Sequence, residues 1–140
     1  MKKTLLVVAL ITTFSFAKDA MTVYKSASCG CCGKWVDHMK ENGYKVKTII
    51  KEDMSSVKNR LGVPQKLSSC HTAVINGYIV EGHVPSDVVD KMLKEKPNIK
   101  GIASPGMPIG SPGMEQGDMK QPNTIVTFDK DNKYFIYANK

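Results

Sequence analysis

The sequence predicts an α/β fold, and three observations support this prediction. Segments in which apolar and polar residues alternate, as in β-strands, are separated by segments whose apolar residues recur at helical spacing. An Asn76-Gly77 pair joins two short apolar runs, which is the pattern of a β-hairpin with a two-residue turn. Two further alternating runs, on either side of residues 129–132, predict a C-terminal β-hairpin.

The first elements form a predicted β-α-β unit. Strands are predicted over Met21–Lys25 and Tyr44–Ile50, with a helix over Gly33–Asn42 that ends at Gly43. The cysteine-rich segment 28–33 lies between the first strand and this helix. The apolar stripe of the helix consists of Trp35, Val36 and Met39.

Two more helices complete the predicted order. Asp53 is a good N-cap for a short helix that stops at Gly62, with Met54, Val57 and Leu61 on its apolar side. After Pro85, the residues Ser86 and Asp87 are expected to cap a third helix that runs to about Lys96, with Val88, Val89, Met92 and Leu93 on its buried side. The order β-α-β-α-β-β-α, with a cysteine motif after the first strand, is that of a thioredoxin-like domain. In that architecture the loop before the third strand, which holds Cys70 and His71 here, lies beside the cysteine motif.

The N-terminal residues 1–17 have the pattern of a secretory signal peptide. Lys2 and Lys3 precede an apolar run of about twelve residues, and Ser15 and Ala17 are the small residues that cleavage requires. We expect cleavage after Ala17, with Ala20 as a less favoured site, which leaves 18–140 as one domain. The run is too short to span a membrane, so we expect a periplasmic protein with no membrane span.

The charge of the chain does not indicate nucleic-acid binding. The full sequence carries a net charge of +7, and removal of Lys2 and Lys3 lowers this to +5. A basic chain can bind nucleic acid, but these lysines are scattered and have few aromatic residues among them. We interpret the charge as a solvated surface.

The segment S-C-G-C-C-G at residues 28–33 is the strongest chemical signal. Cys29 and Cys32 form a C-x-x-C pair at a helix N-terminus, where the dipole lowers thiol pKa. A disulfide between the adjacent Cys31 and Cys32 would be strained, so Cys31 either pairs with Cys70 or stays free. Thiolates packed this closely repel one another unless a cation lies among them, and thiolate ligands favour Cu(I). The cysteines therefore favour a metal site over pure redox exchange.

Residues 98–123 predict a loop rich in methionine, proline and glycine. The tetrapeptide S-P-G-M occurs twice, at residues 104–107 and 111–114, and Pro-Gly suits the centre of a type II turn. Each turn would present its methionine, Met107 or Met114, at the same position. Thioether sulfur is a good Cu(I) ligand, although methionine is also a common core residue. We include both methionines among the candidate ligands.

The three histidines receive different interpretations. His71 follows Cys70 and is a candidate ligand, because the predicted fold turns this loop toward the other cysteines. His83 follows the hairpin and is interpreted as a structural residue or a surface residue. His38 lies beside the apolar stripe of the first helix and is interpreted as a packed residue.

Three sequence blocks together resemble one family: C-G-C-C-G-K-W-V-D-H-M, S-C-H-T-A-V-I-N-G-Y-I-V-E-G-H-V-P and G-M-P-I-G-S-P-G-M-E. The chain resembles the CopG-type periplasmic copper-resistance proteins, a family long described as a domain of unknown function. The resemblance implies a thioredoxin-like fold and a role in copper tolerance. It also implies a copper site built from the C-x-C-C cysteines and the later cysteine, which are here Cys29, Cys31, Cys32 and Cys70.

The leading hypothesis is a periplasmic copper-binding protein that acts in copper resistance. The four cysteines would hold Cu(I) as a cysteine-bridged cluster of more than one ion, with help from His71. The loop methionines would cover the site or pass copper in and out, and other periplasmic copper-handling proteins are the expected partners. Several sulfurs sharing several ions would also permit copper redox chemistry.

The alternatives are an enzyme and a structural domain. A thiol–disulfide oxidoreductase would use Cys29 and Cys32, but such enzymes place a proline before the third strand, where this chain has Cys70-His71-Thr72. A purely structural domain with two disulfides is disfavoured because adjacent cysteines pair poorly. The sequence therefore favours a binding protein over an enzyme, and an enzyme would be an oxidoreductase that acts on copper or on disulfides.

Overall fold

The computed structural model describes residues 18–140, so the signal peptide predicted over residues 1–17 lies outside them. The strands and helices, in chain order, are β1 (Ala20–Lys25), α1 (Gly30–Glu41), β2 (Lys45–Ile50), α2 (Met54–Leu61), β3 (Thr72–Ile75), β4 (Tyr78–Glu81), α3 (Ser86–Glu95), β5 (Gly101–Ala103), β6 (Thr124–Phe128) and β7 (Tyr134–Asn139). The strands form one sheet of seven in the order β2-β1-β3-β4-β5-β6-β7. The chain is therefore an α/β protein with the predicted order of its first seven elements.

The sheet is mixed. β1 is parallel to β2, and β4 is parallel to β5, whereas the other neighbouring strands are antiparallel. The predicted C-terminal hairpin is present as β6 and β7. Among the described residues, the helices are too short or too polar for any of them to cross a membrane.

The prediction that residues 98–123 form a loop throughout is wrong at one place. Gly101–Ala103 form β5, which lies between β4 and β6 and joins the C-terminal hairpin to the rest of the sheet. Three residues are too few to show an alternating pattern, so periodicity could not reveal this strand. A Cβ atom at Gly101 would lie 2.2 Å from the Ile79 carbonyl oxygen, so the strand needs glycine there.

Both faces of the sheet are covered. On one face, α1 and α3 pack their apolar sides against β1, β3, β4 and β5, and Trp35, Met39, Val89 and Met92 are fully buried there. On the opposite face, a smaller cluster combines side chains from β4, β5 and β6 with the segment that follows α2. Its buried members are Val63, Leu67, Ile79, Ala103 and Phe128. This three-layer arrangement leaves the ends of β1, β3 and β4 to build the candidate site.

Local turn and cap signals were mostly confirmed. Asn76 and Gly77 have φ values of 47° and 82°, as a two-residue hairpin turn requires. The Asp53 side chain accepts a hydrogen bond from the Ser56 backbone N–H (3.0 Å), and Gly62 ends α2 in the left-handed conformation. The predicted capping of α3 by Ser86 and Asp87 is wrong, since Pro85 is the N-cap and makes no side-chain bond.

The first helix begins earlier than predicted. α1 starts at Gly30 instead of Gly33, with Cys29 as its N-cap in an extended conformation. Cys31 and Cys32 therefore lie in the first helical turn. Helix geometry, rather than an irregular loop, sets the directions of their side chains.

Candidate metal centre

The first part of the site is the cysteine turn, residues 29–32, where β1 ends and α1 begins. Residues three apart on a helix lie on the same face, and Cys29 and Cys32 are joined there by a disulfide with a Cα–Cα distance of 5.3 Å. Cys31 is a free thiol whose Sγ lies 3.5 Å from Cys29 Sγ. The predicted C-x-x-C pair is thus placed together, and the third thiol lies directly beside it.

The second part is the hairpin base, residues 69–72 and 81–83, at the open end of the β3–β4 hairpin. It carries Cys70, which is a free thiol, and the buried His71. The Sγ atoms of Cys29, Cys31, Cys32 and Cys70 all lie within 4.8 Å of one another. The structure therefore brings together the four predicted sulfurs although Cys70 is distant in sequence.

His83 also belongs to the hairpin base, and its interpretation as a structural or surface residue missed this. Its Nε2 lies 2.9 Å from Cys70 Sγ, and its side chain is fully buried. Cys70, His71 and His83 each offer one potential ligand atom, and these three atoms lie within 4.8 Å of one another. The hairpin base thus offers two imidazoles and a thiol at the edge of the four-sulfur cluster.

The hydrogen bonds of His83 define which ring nitrogen faces the cluster. Its Nδ1 lies 2.8 Å from the Pro112 carbonyl oxygen, which can only accept a hydrogen bond. Nδ1 must therefore carry the proton, and Nε2 presents its lone pair toward Cys70 Sγ. Metal-binding histidines commonly use a backbone carbonyl in this way to fix the ring and its tautomer.

His71 is the least satisfied group of the site. Its Nδ1 lies 3.5 Å from Cys70 Sγ, whereas Nε2 is buried without a hydrogen-bond partner among the described residues. The Trp35 ring lies against it, with a centroid separation of 4.4 Å, and the His83 ring meets it edge-on at 5.0 Å. A buried polar atom without a partner is costly, so the position suits an additional ligand.

Burial keeps Cys70, His71 and His83 uncharged in the metal-free site. Burial lowers the pKa of His71 well below 6.5, and the neighbouring His83 and Lys58 lower it further. Burial likewise lowers the pKa of His83. Burial, followed by the neighbouring Cys31, raises the pKa of Cys70 to about 11. At neutral pH the imidazoles are therefore uncharged, Cys70 is a thiol, and a bound cation would displace its proton.

A buried ion pair supports the hairpin base from behind. Lys58 Nζ, from α2, lies 2.5 Å from Glu81 Oε1 and donates to Thr72 Oγ1 at 3.0 Å. The Glu81 carboxylate also accepts hydrogen bonds from Thr72 Oγ1 (2.6 Å) and the Ser69 backbone N–H (2.7 Å). The carboxylate therefore ties together the residues on both sides of Cys70 and His71.

The two S-P-G-M turns meet the site at different places. In the second turn, Pro112 accepts the His83 hydrogen bond, and a Cβ atom at Gly113 would lie 2.6 Å from the Cys31 carbonyl oxygen. The first turn is attached to the hairpin base, since Ser69 Oγ donates to the Gly106 carbonyl (2.6 Å). Gly106 and Gly113 have φ values of 74° and 86°, consistent with the predicted turn type.

The methionines of these turns differ in exposure. Met107 is 51% exposed, whereas Met114 is half-buried and directly follows the glycine that packs on Cys31. Both are therefore placed in turns that touch the site. Their role as ligands stays a prediction.

His38 lies outside the cluster. Its Nε2 accepts a hydrogen bond from the Ser86 backbone N–H (3.2 Å) at the start of α3, and burial lowers its pKa. It thereby replaces the side-chain cap that α3 lacks. His38 was interpreted as a packed residue, and it is a half-buried side chain that packs α1 against the start of α3.

Comparisons with known proteins support a family assignment. A family model described as "Protein of unknown function, DUF411" matches residues 67–114, which include the hairpin base and both S-P-G-M turns. Two solved structures, "Copper resistance protein copG- Form 2" and "Copper resistance protein copG- Form 1", are each 45% identical to the chain, with TM-scores of 0.83 and 0.82. These matches cover 87% and 86% of this chain, and 98% and 96% of the solved chains. The chain belongs to the CopG family of copper-resistance proteins. No curated protein that was compared with it matches.

Membership of the CopG family confirms the resemblance predicted from the three sequence blocks. His83 lies inside the second block, and the hairpin register could have identified its position. Counting outward from the Asn76-Gly77 turn pairs Thr72 with Glu81, as observed, and so places Cys70 opposite His83. The position of the turn alone thus determines that His83 lies opposite Cys70.

Proposed function

We propose that this chain is a copper-binding protein of copper resistance and homeostasis, and that its cysteine cluster holds Cu(I). The observation that carries the proposal is the convergence of the four cysteine sulfurs within 4.8 Å. When the disulfide is reduced and the sulfurs are deprotonated, four thiolates this close would repel one another strongly, and soft cations among them would relieve this repulsion. Thiolate ligands favour Cu(I), and the solved relatives are named for copper resistance.

The proposed site holds more than one Cu(I) in a thiolate-bridged cluster. A thiolate sulfur has several lone pairs and can bridge two cations, so four sulfurs can serve several ions. His83 Nε2 and His71 Nδ1, which lie 2.9 Å and 3.5 Å from Cys70 Sγ, would complete the coordination at that edge. Since several ions would share their ligands, the cluster would also permit copper redox chemistry.

The S-P-G-M turns are proposed to control access to this cluster. Met114 would contribute a thioether beside Cys31, while the exposed Met107 would receive or release copper at the surface. Support comes from the anchoring of both turns at the site, through Ser69 to the first turn and through His83 to the second. Exchange with other copper-handling proteins would occur at this face.

We place the mature protein, residues 18–140, in the periplasm because residues 1–17 have the pattern of a signal peptide. We also propose that the domain is thioredoxin-like. Its support is the order of the first seven elements and the position of the cysteine turn between β1 and α1.

The test is an anaerobic Cu(I) titration of the reduced protein, with metal content and alkylatable thiols counted together. We expect several ions per chain and protection of the thiols. Cys31→Ser should lower the capacity sharply, whereas Ser28→Ala, an exposed neighbour in the same segment, should not. A copper content near zero would overturn the proposal, and an unchanged capacity of the Cys31→Ser variant would overturn the bridged cluster.

The disulfide between Cys29 and Cys32 favours a second candidate, a thiol–disulfide oxidoreductase. The pair lies at the N-terminus of α1, where a thiolate is stabilised. Reduction of insulin by the metal-free protein separates the candidates. Robust turnover that is abolished by Cys29→Ser would favour the enzyme, and absence of turnover would favour copper binding alone.

A further inference from the structure

The candidate ligands divide into two sets that differ in their covalent state. Cys29 and Cys32 are joined by a disulfide, whereas Cys31 and Cys70 are free thiols. Thiolates bind metals, and disulfide sulfurs are poor ligands. The disulfide therefore makes two of the four sulfurs unavailable as metal ligands and leaves the other two free to bind.

The donor atoms of the remaining set are suited to bind a metal ion. Cys31 and Cys70 belong to the group of sulfurs that lie within 4.8 Å of one another, and Cys70 shares a second such group with His71 and His83. Two sulfurs and two imidazole nitrogens are a familiar tetrahedral ligand set. Cys31 Sγ lies 3.5 Å from Cys29 Sγ, but the hydrogen bonds of Cys70, His71 and His83 among the described residues involve neither Cys29 nor Cys32.

The supports of the remaining set lie outside the cysteine turn. The ring of His83 is fixed by the Pro112 carbonyl, and Glu81 holds the Ser69 backbone N–H beside Cys70. The His71 ring turns its Nδ1 toward this set, at 3.5 Å from Cys70 Sγ, and its buried Nε2 has no hydrogen-bond partner among the described residues.

We propose that the chain binds copper in two forms. With the Cys29–Cys32 disulfide closed, Cys31, Cys70, His71 and His83 hold one Cu(I). With the disulfide open, the two added thiolates allow the larger cluster. The inference rests on the proposed copper binding and adds that the first ion does not need Cys29 or Cys32.

The change between the forms is a balanced exchange reaction. A dithiol donor gives up two electrons and two protons and becomes a disulfide. The Cys29–Cys32 sulfur–sulfur bond breaks, and each of its sulfurs takes up one proton. Binding of further Cu(I) then displaces those protons from the new thiols.

The experiment compares three preparations of the full mature chain by anaerobic Cu(I) titration against a chromophoric Cu(I) chelator. They are the disulfide form, with two free thiols verified by counting, the fully reduced form, and the reduced Cys29→Ser/Cys32→Ser double variant. The double variant lacks both sulfurs and cannot form the disulfide. We expect one Cu(I) in the disulfide form, one in the double variant, and several in the reduced protein.

Histidine variants in the double-variant background test the ligand set. His83→Gln should weaken binding of the single ion at least about tenfold, whereas His38→Gln, whose ring caps α3, should leave it unchanged. Copper in the reduced protein but none in the disulfide form and the double variant would overturn this inference and leave the proposed function standing. No copper in any preparation would overturn both. Equal effects of the two histidine variants would overturn the ligand set.

Discussion

The cysteine turn and the hairpin base supply similar ligand atoms by different structural means. The cysteine turn places three thiols within four consecutive residues, so the geometry of one helical turn sets their spacing. The hairpin base brings Cys70 and His83 together through strand register, across the β3–β4 hairpin. The first arrangement can change by making or breaking one disulfide, whereas the second is fixed by the sheet.

The two regions also differ in what lies behind them. Cys29 and Cys31 are half-buried, but His71, His83 and Glu81 are fully buried. The hairpin base depends on an ion pair and on hydrogen bonds that are buried away from water. Substitutions there should therefore reduce the stability of the fold. Substitutions of the half-buried Cys29 and Cys31 should mainly change metal binding, whereas Cys32 is fully buried.

The largest effect is expected at Lys58. Lys58→Met removes the cation but leaves the Glu81 carboxylate buried, which should lower the free energy of unfolding by about 3–5 kcal/mol. Urea unfolding of the reduced, metal-free protein measures this loss. The Lys58→Met/Glu81→Gln double variant should recover part of it, because no unpaired charge then remains.

Lys91 provides a matched control, since it pairs with Glu95 on the exposed side of α3. Lys91→Met should cost at most about 1 kcal/mol. A similar loss for both lysine variants would show that the hairpin base does not depend on its ion pair.

The next effect compares the equivalent glycines of the two S-P-G-M turns. Gly106→Ala should cost only the strain of a positive φ, since a Cβ atom there meets no neighbouring atom within 4 Å. In Gly113→Ala, the added Cβ atom would lie 2.6 Å from the Cys31 carbonyl oxygen and 2.9 Å from the Trp35 backbone nitrogen. It should therefore destabilise the protein by about 1–3 kcal/mol more than Gly106→Ala in urea unfolding.

The Gly113→Ala variant should also weaken Cu(I) binding, because it pushes the second turn away from His83 and Cys31. The Gly106→Ala variant should retain binding. Equal stability and equal binding of the two variants would contradict the packing of the second turn on the site.

Sequence reasoning succeeded where a local pattern determines the structure. The cysteine spacing, the Asn76-Gly77 turn and the Asp53 cap each depend on a few neighbouring residues, and the sequence predicted all of them. It missed β5, since three residues carry no period, and it missed His38 as the partner of the Ser86 N–H. Such partners are decided by how α1 packs against α3, which no local pattern records.

The same distinction applies within the site. The four cysteines stand out by residue type, so their convergence could be anticipated. His83 is 13 residues from Cys70 and belongs to no recognisable metal-binding motif, so only its register opposite Cys70 reveals it. The Lys58–Glu81 pair was not predicted either, since its members lie on different elements.

The hairpin base should also make stability depend on acidic pH. The pKa values of His71 and His83 are lowered in the folded protein, so below about pH 6.5 the unfolded chain binds more protons than the folded one. Unfolding then becomes easier as the pH falls, by up to about 1.4 kcal/mol per pH unit for each histidine. Urea unfolding of the metal-free protein across this range measures the slope.

Histidine variants assign this slope to the site. His71→Gln and His83→Gln should each flatten the dependence, with the larger change for His71, whose pKa is lowered further. His38→Gln should also flatten it, because burial lowers the pKa of His38 as well. Persistence of the full slope in the His71→Gln variant would contradict a neutral buried His71.

The smallest effect is expected in the cysteine turn and concerns the purpose of its first thiol. Cys29 is the N-cap of α1, yet its side chain makes no capping hydrogen bond. Serine is among the best N-cap residues, so Cys29→Ser in the reduced protein should leave stability unchanged or raise it by up to about 1 kcal/mol. Asp53→Ala, which removes the cap of α2, should instead lower it by about 1 kcal/mol in the same urea experiment. A loss with Cys29→Ser as large as with Asp53→Ala would mean that the thiol stabilises the helix. The expected result would mean that cysteine occupies a position where another residue serves the helix better, so that its sulfur is present for chemistry.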